Sequence, residues 1–149
     1  MSDLSGKLGL VVGVANKRSI SWAIAQAAAA AGARLALTYP SARLEENVRE
    51  LAASLDNPVI LPCDVSSDDQ VTALGASLDA EFGGLDFLVH GAAFAPAAEL
   101  SNRFVSTTRD GFRTALDVSA YSLIALARTC LPLFEKRGAG AVLTLPHIG

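Results

Sequence analysis

Five short apolar runs punctuate the chain: Leu8 to Val12, Arg34 to Thr38, Val59 to Leu61, Phe87 to Val89 and Ala141 to Leu145. Each is brief and rich in Val, Leu or Ile with little alternation, as in strands covered on both faces of a parallel sheet. Between them the apolar positions fall into helical period. The alanine-rich stretch from Ala23 to Ala31 follows the first run, and Leu44, Val48, Leu51 and Leu55 then form one apolar stripe, with Glu45, Glu46 and Arg49 turned to water. A third helix is signalled by the N-capping cluster Ser66-Ser67-Asp68-Asp69, followed by Val71, Leu74, Leu78 and Phe82. The last long segment, Asp110 to about Phe134, is rich in Ala and Leu around most of its circumference. Burial on more than one side follows, with Pro132 expected to end or kink the helix. Strands alternating with helices predict right-handed βαβ units. The expected fold is a Rossmann-type doubly wound α/β domain with a parallel five-stranded sheet in the order 3-2-1-4-5, residues 1–149 forming one domain.

Composition narrows the partners. Of the residues 51% are apolar, and twelve basic against fifteen acidic side chains leave a net charge of −3 with no basic stripe. Nucleic acid and membrane surfaces are therefore not expected partners. Cys63 and Cys130 lie far apart with no metal-ligand spacing, which points away from a metal site or disulfide framework and toward a reducing compartment. The start "MSDLSGK" lacks a signal pattern, and no unbroken apolar stretch looks long enough for a bilayer, so the expected location is the cytoplasm.

In a doubly wound sheet ligands sit beyond the carboxyl ends of the strands. After the first run, "GVANKRSI" offers Gly13 for a tight turn and a helix start at Ser19-Ile20, where backbone N–H groups, the helix dipole and the Ser19 hydroxyl attract a pyrophosphate. A serine-capped turn without ligand explains the same residues. After the second run, "LALTYP" has no acid for a ribose hydroxyl pair, and Arg43 is either a 2′-phosphate contact or an exposed cation. Asp64 and Val65 suit an adenine ring, although a carboxylate near a helix start also accounts for Asp64. Gly91, Ala92 and Ala93 would admit a nicotinamide ribose, or simply pack the sheet tightly. His90 reads as a core or strand-end histidine.

Together, "GVANKRSISWAIA", "CDV", "HGAAFAP" and "LDVSAYSLIALARTC" resemble the short-chain dehydrogenase/reductase superfamily, in particular its bacterial enoyl-acyl-carrier-protein reductase branch. The resemblance implies that Gly13, Ser19 and Ile20 contact the cofactor diphosphate, that Pro40 lies near the adenosine ribose, and that Asp64 and Val65 hold the adenine. Ala92 would approach the nicotinamide and Ala95 would border the acyl substrate. It also implies NADH, or NADPH, as cofactor, an enoyl thioester on acyl carrier protein as substrate, and homo-oligomers in the full-length family, built partly on the long helix from Asp110. In that family a catalytic tyrosine and its lysine lie beyond the fifth strand. Here "LTLPHIG" closes the sequence, His147 stands at the position of a tyrosine, and Tyr39 and Tyr121 are the only tyrosines, so no catalytic residue is assigned. The expectation is a chain cut short after its fifth strand and inactive alone. The alternatives are a non-catalytic dinucleotide-binding module or another short-chain reductase, such as a 3-oxoacyl reductase.

Overall fold

A computed structural model describes residues 3–145. Five parallel strands, β1 (Leu8–Val12), β2 (Arg34–Tyr39), β3 (Val59–Pro62), β4 (Phe87–His90) and β5 (Ala141–Thr144), lie in the order β3-β2-β1-β4-β5, as the sequence pattern predicts. In register, Leu10 stands beside Ala36 and Leu88, and Val11 beside Leu37 and Val89. Because successive side chains point to opposite faces, these two rows feed two separate cores. Leu10, Val12, Ala36 and Leu88 pack against α3 (Asp68–Phe82) and α6 (Ser122–Arg137), whereas Val11, Leu35, Leu37 and Val89 pack against α1 (Ile20–Ala30) and α2 (Ala42–Ala52). Each buried Leu or Val contributes about 1.5–3 kcal/mol, so both rows favour covering the two faces of the sheet with helices.

Local signals set the helix ends. Ser67 accepts from the Gln70 N–H at 3.3 Å at the start of α3, and Gly83, with φ of 66°, ends it in the left-handed region. The expected long helix runs from Arg109 to Arg137 but is not uniform. α5 (Arg109–Leu116) passes into a π turn (Asp117–Tyr121) and then into α6. Pro132 does not end the helix: it lies inside α6, which continues to Arg137 and stops at Gly138 with φ of 86°. Cys130, Leu133 and Phe134, on both sides of the proline, are buried, and their packing outweighs the one helical bond that proline cannot make. By length and composition the Arg109–Arg137 segment is apolar enough to cross a membrane. Its buried side chains, however, face the sheet. A short helix, α4 (Ala97–Ser101), and a 3-10 turn (Phe104–Ser106) complete the described elements.

The lower edge of the sheet is tied by Asp86. Its carboxylate accepts from the Leu8 N–H at 2.8 Å and from Arg137 at 3.0 and 3.2 Å, linking β1, β4 and α6. Burial alone would raise this carboxyl, but Arg137 and the Leu8 amide hold it below the ordinary Asp value.

Candidate dinucleotide cleft

At the carboxyl ends of β1, β2, β3 and β4 the loops part around a cleft of about 700 Å³. It opens where the strand order reverses between β1 and β4, the place that a doubly wound topology reserves for ligands. Gly13, Pro40, Asp64, Val65 and Ala92, all singled out from the sequence, line it. Gly13 has φ of 104°, and the space its side chain would take is filled by the Gly91 backbone; glycine is required here for the chain to pass so close beyond the paired ends of β1 and β4.

Ser19, Ile20 and Ala95 are not part of the lining. Ser19 precedes α1 and turns its hydroxyl back into the loop, where Oγ accepts from the Ala15 N–H at 3.0 Å and the Asn16 N–H at 3.1 Å. Both lone pairs are engaged, which leaves the hydroxyl proton free to donate. Ala15 itself lines the cleft, so Ser19 shapes the rim from behind. Ile20 is 67% exposed at the first turn of α1, where the Trp22 and Ala23 N–H groups bond the Ser19 carbonyl and those of Ile20 and Ser21 have no intrahelical acceptor. Arg43 is exposed on α2 and also lies outside the lining.

Asp64 shows the helix-start carboxylate of its sequence readings. Its Oδ1 accepts from the Ser66 N–H at 2.9 Å and the Ser66 hydroxyl at 2.6 Å, closing a turn ahead of α3, while its N–H donates to Gln70 at 2.8 Å. Beside it Cys63 is buried, and that burial, with Asp64 adding a smaller push, raises its thiol to about 11. A thiol so far above neutrality is a packing group, and the same holds for Cys130, pushed by burial to about 12.

His90 is 2% exposed and is a core histidine, as its strand-end position suggested. Nε2 lies 2.7 Å from Ser122 Oγ and Nδ1 3.0 Å from Thr144 Oγ1. Burial lowers its pKa below the usual histidine value, so the ring is neutral at pH 7. Pro146 and His147 lie outside the described residues. Among the described residues no three His, Cys, Asp or Glu side chains converge as metal ligands would.

Sequence reasoning missed the far wall. Thr114, Asp117 and Val118, from α5 and the π turn, reach the cleft from more than twenty residues beyond β4. In the sequence they look like one more turn of an apolar helix, and only the π turn distinguishes them.

The comparisons with known proteins agree with this geometry. The family model described as enoyl-(acyl carrier protein) reductase matches residues 13–149. The enoyl-acyl-carrier-protein reductase (NADH) FabI of Aquifex aeolicus is 44% identical over the whole of this chain, which spans 55% of that relative, and its crystal structure superposes with a TM-score of 0.92. A Bacillus cereus enoyl-acyl carrier protein reductase, solved with NADP+ and indole naphthyridinone, gives 44% identity and a TM-score of 0.92, covering 99% of this chain and 58% of that one. The Anaplasma phagocytophilum enzyme, solved with NAD, gives 40% identity and a TM-score of 0.91, covering 99% and 56%. Thus the chain spans little more than half the length of the curated relatives it matches, and over that length their sequence and fold run continuously through β1, the cleft and β5. On this footing the chain belongs to the enoyl-acyl-carrier-protein reductase family.

Proposed function

We propose that this chain is the dinucleotide-binding part of an NADH-dependent enoyl-acyl-carrier-protein reductase of fatty acid synthesis. The observation that carries the reading is the cleft at the strand-order reversal, where an acidic turn and small side chains share one lining and Ser19, ahead of α1, holds the Ala15 rim from behind. The donor set fits a dinucleotide. The unpaired amides at the start of α1 and the free Ser19 proton suit a diphosphate, and Ala92 and Ala93 leave room at the β4 end. Asp64 holds Ser66 through Oδ1 alone, which leaves Oδ2 as an acceptor for an adenine amino group, with Val65 beside it. Pro40 sits where a ribose would lie next to β2, and the absence of Arg43 from the lining favours NADH over NADPH.

When bound, the reduced nicotinamide supplies a hydride for the β-carbon of an enoyl thioester. The oxygen that gains charge in that reaction needs a positioned donor. Neither Tyr39 nor Tyr121 lines the cleft, and no lysine does among the described residues. The reading is therefore binding without useful turnover by this chain alone, with enoyl thioester on acyl carrier protein as the substrate of the whole family enzyme and the cytoplasm as its place. Ala95, just outside the cleft, would border the acyl chain.

Phe112, Leu116, Ile124 and Leu131 leave an apolar face on α5 and α6, each about half exposed or more. This face is proposed as the contact with a second copy. Sedimentation velocity tests it: a monomer at high concentration rejects the contact.

Calorimetric titration of the purified chain with NADH and NADPH tests the cofactor reading. Binding of NADH that is lost in Ser19→Glu supports it, since an added carboxylate would meet the diphosphate. Absence of binding in the wild-type chain rejects it. Turnover of a crotonyl thioester, checked against His147→Ala, would reject the inactivity.

A further inference from the structure

The hydrogen bonds around His90 have a fixed direction. Ser122 Oγ lies 2.6 Å from the Val118 carbonyl, which can only accept, so the single hydroxyl proton goes there. Ser122 must then accept from His90 Nε2–H, and His90 Nδ1 must accept from the Thr144 hydroxyl. The chain of donors thus runs from Thr144 at the end of β5, through His90 at the end of β4, to Ser122 and Val118.

Val118 is available to Ser122 because the backbone is π-wound here. The Ser122 N–H bonds to the Asp117 carbonyl rather than to that of Val118, and the freed Val118 carbonyl takes the Ser122 hydroxyl instead. A second tie acts on the same turn. Ser119 Oγ accepts from the Phe94 N–H at 3.0 Å and donates to the Phe94 carbonyl at 3.1 Å, anchoring the turn to the loop that follows β4. Immediately ahead of Ser119 stand Asp117 and Val118, both on the wall of the cleft. A π turn carries one residue more than an α turn, and at 3.6 residues per turn its loss would rotate the flanking residues by roughly 100°.

We infer that Ser122 is a positioning residue: its hydroxyl, oriented by His90, holds the π turn that places Asp117 and Val118 on the cleft wall. The inference rests on the dinucleotide reading above for its ligand, but the holding of the turn is independent of it. The test measures NADH affinity together with amide exchange at residues 117–122, in the wild-type chain and in Ser122→Ala, Ser122→Thr and Leu133→Ala. Ser122→Ala is expected to raise the NADH Kd about fivefold at full circular-dichroism signal, while Ser122→Thr, which keeps the hydroxyl, stays within about twofold of wild type. Leu133→Ala, a core truncation in α6 away from the cleft, should lose stability and keep its Kd. Should Ser122→Ala not fold, Ser122→Cys keeps the volume with a weak donor and must also weaken NADH. Wild-type affinity in a folded Ser122→Ala or Ser122→Cys overturns the inference, as does failure of Ser122→Thr to rescue. If the wild-type chain itself leaves NADH unbound, the dinucleotide reading falls, and exchange decides alone. Faster exchange at 117–122 in Ser122→Ala than in Leu133→Ala supports the role of Ser122, and equal exchange overturns it.

Discussion

β2 and β5 are both short, parallel and apolar, yet Leu35 and Leu37 in β2 are 1% and 0% exposed, whereas Val142 and Leu143 in β5 are 47% and 49% exposed. β2 lies between β1 and β3, with α1 and α2 against one face and the α3–α6 core against the other. β5 has β4 as its single neighbour and is held there by backbone pairing and by the Thr144–His90 hydrogen bond. The difference teaches that an apolar run declares a strand without declaring how well it is covered. The cleft lies between these extremes, one side built on the closed β3–β2–β1 half and the other on β4 and the π turn.

The largest effect is expected at the seam between the two halves. Gly13→Val would combine a positive φ with a collision against the Gly91 backbone, and its cost should be about 3 kcal/mol or more, read from urea unfolding. A near-neutral result would show that β1 and β4 can separate freely.

The comparison itself is tested by one substitution made twice. Leu37→Ala should cost about 2–5 kcal/mol as a core truncation, and Leu143→Ala less than about 0.5 kcal/mol as a surface change. Equal losses would mean that β5 is covered in solution, for instance by a second copy, and sedimentation of the same samples would show it.

Next in size is the pH response of the β4–β5 attachment. The folded pKa of His90 lies below the ordinary value of 6.5, so under acid the unfolded chain binds a proton that the folded chain resists. Its contribution to stability is therefore complete above pH 6.5 and is lost as the pH falls below that value toward the depressed folded one. Between pH 7.5 and 5.5 the urea midpoint should drop, with a slope from this group under about 1.4 kcal/mol per pH unit, the limit for one proton. His90→Phe should flatten that slope; an unchanged slope would remove His90 as its source.

A small effect is also expected at the Lys136–Asp79 pair, which joins α6 to α3 at 2.5 Å with both side chains about half exposed. Lys136→Ala should cost less than about 1 kcal/mol, and less still in high salt. A larger, salt-resistant loss would mean that α3 and α6 depend on this pair rather than on Leu74, Leu78 and Leu126 beneath it.

What the sequence determined by itself was whatever a short stretch of chain decides alone. The five apolar runs, the cap at Ser67 and the glycine turn at Gly13 depend on neighbours a few residues away, and strand order followed because right-handed crossovers leave few alternatives. From that order, the near wall of the cleft at Gly13, Asp64, Val65 and Ala92 was legible as a row of strand ends, and the family resemblance added Pro40. That α6 runs on past Pro132 was not legible, because the local cost of proline is visible in the sequence and the burial of Leu133 and Phe134 is not. The π turn was invisible for the same reason. The Val118 carbonyl takes the Ser122 hydroxyl in place of its ordinary helical partner, and the turn is tied through Ser122 to His90 and through Ser119 to Phe94, both far away in the chain. Tertiary structure alone decided that wall, as it decided that β2 is closed and β5 open, because both depend on which surfaces meet after the sheet has formed.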